Sequence, residues 1–161
     1  MLDQPDSSEA DNVAVTASRP VQPVVPRLLV IDDDNLHRMI ICRVAAKAGY
    51  LPAGAATFEE AAKLVRDDAF DCITLDLSLG EHAGVEMLRH LWTIGCKAPI
   101  IIISGCDDTV CSDSERVAES LKLNVWQSIP KPVNMAVLRE SLERLKVVRD
   151  APVQSPQIAP A

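Results

Sequence analysis

Acidic, basic and hydroxyl side chains occur at the ends of several apolar runs of this sequence. They are Asp32, Asp33 and Asp34 after the first run, Asp76 at the end of the third, Ser104 at the end of the fourth and Lys131 after the fifth. Clustered carboxylates repel each other unless protons or a cation compensate them, and oxygen ligands favour Mg²⁺, which also accepts phosphate oxygens. A lysine and a hydroxyl complement a phosphoryl group, so the set indicates phosphoryl transfer with one carboxylate as nucleophile.

The apolar runs alternate with helical patterns, which predicts five βα units. The predicted strands are 27–31, 50–55, 71–76, 99–104 and 125–128. The predicted helices are 35–48, 58–68, 84–94, one that follows Ser112 and ends near 122, and one that starts at 135. Asp34 or Asn35, Thr57, Ser112 and Asn134 are the predicted helix caps. Strands that alternate with helices form parallel sheets covered on both faces.

Strand composition predicts the order of the sheet. The first, third and fourth runs are the most apolar and should be central, whereas Pro130 and Pro132 favour an edge position for the fifth. We therefore predict an α/β, doubly wound, flavodoxin-like (βα)5 fold with strand order 2-1-3-4-5. The carboxyl ends of parallel strands share one pole, where the side chains named above should meet. Asp71 begins its strand and should lie roughly 16 Å from that pole.

Composition limits the domain organisation and the function classes. The chain has 161 residues and a formal net charge of −7. All six glycines fall within 27–147 and most prolines outside it, so we predict one domain at 27–147 between disordered tails at 1–26 and 148–161. No apolar run is long enough for a membrane, and the acidic balance argues against direct nucleic-acid binding. The polar N-terminus and five cysteines without a C-x-x-C pair indicate a cytoplasmic protein.

Four separated motifs resemble the receiver domain of bacterial response regulators. They are LLVIDDD, DCITLDLSLGEHAG, PIIIISG and IPKP, which occur in the family's order across 27–147. The resemblance implies a phosphoprotein of a two-component phosphorelay rather than an enzyme, with at most self-phosphorylation and self-dephosphorylation. It also implies a domain that takes a phosphoryl group from a histidine kinase or a histidine phosphotransfer protein and acts on a downstream protein target. We expect a stand-alone receiver, because no output domain is recognisable after residue 147.

The resemblance assigns roles to individual residues. Asp76 is the expected phospho-acceptor, and Mg²⁺ is expected on Asp32, Asp33, Asp76 and the backbone carbonyl of Ser78. Ser104 and Lys131 are expected to bind the phosphoryl group and to start the switch, and the bond to Pro132 is expected to be cis. The switch would alter a face formed by the fourth helix, the fifth strand and the fifth helix. A homodimer that forms through this same face is a further possibility.

One position departs from the family pattern. An aromatic residue is usual three positions before the lysine, where this sequence has Ser128, and the nearby aromatic is Trp126. These two residues are therefore candidate variants of the switch.

Two other functions remain open. One is a pseudo-receiver that binds a partner without phosphorylation. The other is a phosphatase of the haloacid dehalogenase class, whose D-x-D motif is imitated by Asp32 and Asp34. In that class Leu36 would replace a Thr or Val, and Asp76 would have no role.

Overall fold

The computed structural model describes residues 23–80, 83–105 and 108–152. The outer parts of both predicted tails, 1–22 and 153–161, lie outside the described residues. The strands are β1 Arg27–Ile31, β2 Leu51–Ala55, β3 Cys72–Asp76, β4 Ile100–Ser104 and β5 Val125–Pro130. The helices are α1 Asn35–Lys47, α2 Phe58–Asp67, α3 Ala83–Thr93, α4 Asp108–Ser120 and α5 Met135–Asp150.

The five strands form one parallel sheet in the order β2-β1-β3-β4-β5, which confirms the predicted fold class and order. The strand β4 shows why the central strands are continuously apolar. Ile100 and Ile102 pack into the core on the α2, α3 and α4 side, whereas Ile101 and Ile103 pack into the core on the α1 and α5 side. Successive residues of a strand point to opposite faces, so burial on both faces requires an unbroken apolar run.

Three helix starts agree with the predicted caps. The side chain of Asp34 accepts a hydrogen bond from the backbone of His37, and the side chain of Asn134 accepts from the first turn of α5. The hydroxyl of Thr57 accepts from the backbone of Glu60 at 3.2 Å. Each of these oxygens satisfies a backbone N–H group that the first turn of a helix leaves unpaired.

The predicted cap at Ser112 is wrong. The helix α4 already begins at Asp108, so Ser112 lies inside it. No glycine or proline occurs between Asp108 and Ser120, and nothing in the sequence therefore prevents the helix from starting one turn earlier. At the other end of the chain, α5 continues to Asp150, three residues beyond the predicted domain limit.

No helix in the described ranges is both long and apolar enough to cross a membrane.

Candidate functional site

Asp76 is the buried centre of the site. It ends β3 with 1% of its surface exposed. Its Oδ2 accepts a hydrogen bond from Nζ of Lys131 at 2.6 Å, and its Oδ1 accepts one from the backbone N–H of Ser78 at 2.8 Å. A buried carboxylate is stable only when donors or charges compensate it, and both oxygens of Asp76 have such a donor.

Two further carboxylates lie beside Asp76 at the end of β1. Asp32 is 1% exposed, whereas Asp33 is exposed to solvent. One carboxylate oxygen each from Asp32, Asp33 and Asp76 lie within 4.8 Å of one another. An all-oxygen donor set of this size, with one member open to solvent, fits a hard divalent cation that keeps part of its water shell.

Lys131 approaches Asp76 because the end of β5 is fastened to the end of β4. Its backbone N–H donates to the carbonyl of Ser104 at 2.7 Å, and the peptide bond from Lys131 to Pro132 is cis. Partial burial opposes the charge on Lys131. The hydrogen bond to Asp76 and the surrounding carboxylate charges outweigh that effect and raise the pKa of the Lys131 ammonium. Lys131 therefore remains a cation throughout the physiological range.

The backbone after Asp76 is fixed by two close approaches. The N–H of Leu77 donates to the carbonyl of Ile103 at 2.9 Å. A Cβ atom on Gly84 would lie 2.6 Å from the carbonyl oxygen of Leu77, so α3 can pack this closely on the loop only with glycine at that position. The loop that carries Ser78 is thereby positioned against both β4 and α3.

Ser104 and Ser78 lie where the sequence predicts them. Ser104 is the last residue of β4 and is 8% exposed. Ser78 is exposed, and a Cβ atom on Gly105 would lie 3.7 Å from the Ser78 hydroxyl, so the two loops face each other across the site. Asp71 lies at the opposite end of β3, where its carboxylate accepts from the backbone N–H of Arg27 at 2.8 Å.

His37 is a site residue that the sequence analysis did not identify. Its Nδ1 is in hydrogen-bond contact with Oδ2 of Asp32, and its side chain is 21% exposed. The neighbouring Arg38 donates from Nη1 to the backbone carbonyl of Asp32 at 2.7 Å. The cap at Asp34 is the sequence signal that points to His37. The residue three positions after a cap lies in the first turn of the helix, and that turn is close to the end of the preceding strand.

Ser128 and Trp126 are both exposed on β5, but a register shift in the strand places them beside different helices. Ser128 lines a groove with Glu115 of α4, whereas Trp126 lines a groove with Arg144 of α5. The Ser128 hydroxyl donates to Oε1 of Glu115 at 2.6 Å, and Trp126 is 37% exposed. The hydrogen bond connects β5 to α4. The position expected to carry an aromatic switch therefore carries a polar link between these two elements.

Comparison with known proteins places this chain and its fold in one family. Residues 28–143 match the sequence profile of the response regulator receiver domain. The chain is 28% identical over 120 residues to the chemotaxis protein CheY of Thermotoga maritima, with 74% of this chain and 96% of CheY aligned. A response regulator from Colwellia psychrerythraea has a solved structure with a TM-score of 0.67 and 29% identity, over 75% of this chain and 96% of that one.

The chain therefore belongs to the response regulator receiver domain family of two-component signalling systems. Members of this family are signalling domains that interact with histidine kinases and downstream effectors. The transcriptional regulatory protein ZraR of Salmonella typhimurium is 30% identical over 117 residues, which are 73% of this chain but only 25% of ZraR. The chain thus spans about a quarter of the length of that relative.

Proposed function

We propose that this receiver domain accepts a phosphoryl group on Asp76 from a phosphohistidine of a histidine kinase or a histidine phosphotransfer protein. The observation that carries the proposal is the pairing of Asp76. One of its oxygens contacts Lys131 and the other contacts the backbone N–H of Ser78, beside the carboxylates of Asp32 and Asp33. This arrangement combines a buried nucleophile with the positive charge that phosphoryl transfer requires.

The transfer is a single displacement at phosphorus. An oxygen of Asp76 forms the new bond to phosphorus, and the bond from phosphorus to the imidazole nitrogen of the donor breaks. The imidazole nitrogen keeps the electron pair and takes up a proton. Lys131 compensates the charge on the transferred oxygens, and its position is fixed by the 2.7 Å hydrogen bond from its backbone to Ser104.

The three carboxylates fit Mg²⁺ as the cofactor. Asp32, Asp33 and Asp76 would bind it together with the backbone carbonyl of Ser78. When bound, Mg²⁺ supplies positive charge to the phosphoryl oxygens and offsets the repulsion among the carboxylates.

Phosphorylation of Asp76 would change the structure away from the site through β4 and β5. The Ser104 hydroxyl would donate a hydrogen bond to the new phosphoryl group. Any displacement of Ser104 acts directly on Lys131, because the carbonyl of Ser104 accepts from the Lys131 backbone. The hydrogen bond from Ser128 to Glu115 connects β5 to α4. A charge change at Asp76 would thus bias the face made of α4, β5 and α5, which is the expected contact with the downstream protein.

Incubation with Mg²⁺ and acetyl phosphate, followed by intact-protein mass spectrometry, tests this proposal. The wild-type chain should gain the mass of one phosphoryl group, and the gain should disappear in EDTA and in Asp76→Asn. Asp71→Asn is the matched control, since the same substitution at the other end of β3 should leave the gain intact. No gain in the wild type, or an equal gain in Asp76→Asn, would refute the proposal, and no gain would favour a binding-only pseudo-receiver.

A further inference from the structure

We propose that His37 is a positioning residue of the cation site, which fixes the carboxylate of Asp32 in the orientation that the cation requires. The proposal rests on the proposed function, because it assumes a divalent cation at Asp32, Asp33 and Asp76. It assigns a role to a residue of α1 that belongs to neither the acidic cluster nor the phosphoryl-binding pair.

Asp32 is engaged at each of its four polar groups. Its backbone N–H donates to Ala55 at 3.0 Å, and its backbone carbonyl accepts from Arg38 at 2.7 Å. Its Oδ1 accepts from the backbone N–H of Asp34 at 2.9 Å, and its Oδ2 contacts Nδ1 of His37. Three of these contacts come from the start of α1, so that helix end and Asp32 form one unit.

The contact with His37 is the one that fixes the plane of the carboxylate. A single hydrogen bond to Oδ1 leaves the group free to rotate about its terminal torsion, which is broad for aspartate. The second bond, to Oδ2, removes that freedom. A carboxylate that ligates a cation is ionised and only accepts hydrogen bonds, so the proposed role requires Nδ1 of His37 to be the donor in this contact.

His37 is itself well placed to act as a support. Its backbone N–H donates to the cap residue Asp34 at 2.9 Å, and most of its side chain is buried. Carboxylates that ligate metals are commonly oriented by such neighbours, and loss of the neighbour typically weakens metal binding about 10-fold or more. The remaining lone pairs of Asp32 stay available to the cation, since each carboxylate oxygen can accept two contacts.

A titration of the full-length protein with Mn²⁺, read from the free-ion signal in electron paramagnetic resonance, measures this directly and requires no phosphorylation. Calorimetry with Mg²⁺ measures the affinity for the second ion independently, and the variants should follow the same order. We expect His37→Ala to weaken binding about 10-fold. His37→Asn should restore most of the affinity, because its amide nitrogen occupies the place of Nδ1. Leu36→Ala is the matched control, since Leu36 lies in the same helical turn and is 60% exposed.

Unchanged or tighter binding in His37→Ala overturns the proposal, and so does His37→Asn that binds as weakly as His37→Ala. Thermal unfolding in EDTA shows whether each variant is folded. If His37→Ala is unfolded, His37→Gln is used in its place. The glutamine side chain is longer than that of asparagine, so its amide lies beyond the Nδ1 position and does not replace the contact with Asp32. If the wild type binds neither ion, the cation of the proposed function and this inference both fail. If the wild type binds and His37→Ala matches it, only the inference fails.

Discussion

Asp33→Asn should stabilise the metal-free protein and remove most of its response to Mg²⁺. The carboxylate oxygens lie within 4.8 Å of one another. Two like charges at that limiting distance repel by about 3.5 kcal/mol at an effective dielectric constant near 20, and by about 0.9 kcal/mol in water. Asp33 is exposed, so the lower value applies to its pairs with Asp32 and Asp76. The attraction between Asp33 and Lys131 offsets part of this repulsion. We therefore expect a gain of about 1 kcal/mol in the free energy of unfolding.

Urea unfolding followed by far-ultraviolet circular dichroism, in EDTA and in Mg²⁺ at constant ionic strength, is the assay. In Mg²⁺ the order should reverse, because a ligand at 100 times its Kd stabilises the wild type by about 2.7 kcal/mol. Asp113→Asn is the matched control, since that side chain is 78% exposed on α4 and lies outside the acidic cluster. The reasoning is refuted if Asp33→Asn is no more stable than this control in EDTA, or if Mg²⁺ stabilises it as much as the wild type.

Two further predictions concern contacts outside the site. Ser128→Ala removes the exposed 2.6 Å hydrogen bond to Glu115 and should lower the free energy of unfolding by less than about 1 kcal/mol. Urea titrations measure this change, and a larger loss would contradict the view that the contact is exposed to solvent. The side chain of Cys72 is fully buried, and this burial raises the pKa of its thiol to about 12. The thiol therefore stays protonated at neutral pH. Iodoacetamide followed by peptide mass spectrometry should modify Cys72 only under unfolding conditions, and rapid native labelling would contradict this.

The strand order could be predicted from the sequence because the signals that set it are local. A run such as 100–103 is apolar at every position, which only a strand covered on both faces tolerates. Prolines at the end of the fifth run exclude it from the centre of the sheet. Once the strands are parallel, their carboxyl ends share a pole, so the meeting of Asp76 with Lys131 follows from topology alone.

Contacts between side chains of different elements could not be predicted in the same way. The hydrogen bond from Ser128 to Glu115 joins residues of β5 and α4 whose relative placement depends on packing. The contact between His37 and Asp32 depends on the orientation of one imidazole ring, for which periodicity gives no signal. The predicted start of α4 is wrong because the sequence offers two possible starts. One is the capping pattern at Ser112, and the other lies in the residues before it, which are equally able to be helical.

The most direct test of the central claim is to locate the phosphoryl group. Acyl phosphates are reduced by borohydride, which converts a phosphorylated aspartate to homoserine. After incubation with Mg²⁺ and acetyl phosphate, peptide mass spectrometry of the reduced protein should find homoserine at position 76 and at no other aspartate, including Asp32 and Asp33 beside it. Homoserine at either of those neighbours, or none at position 76, would contradict the assignment of Asp76 as the phospho-acceptor.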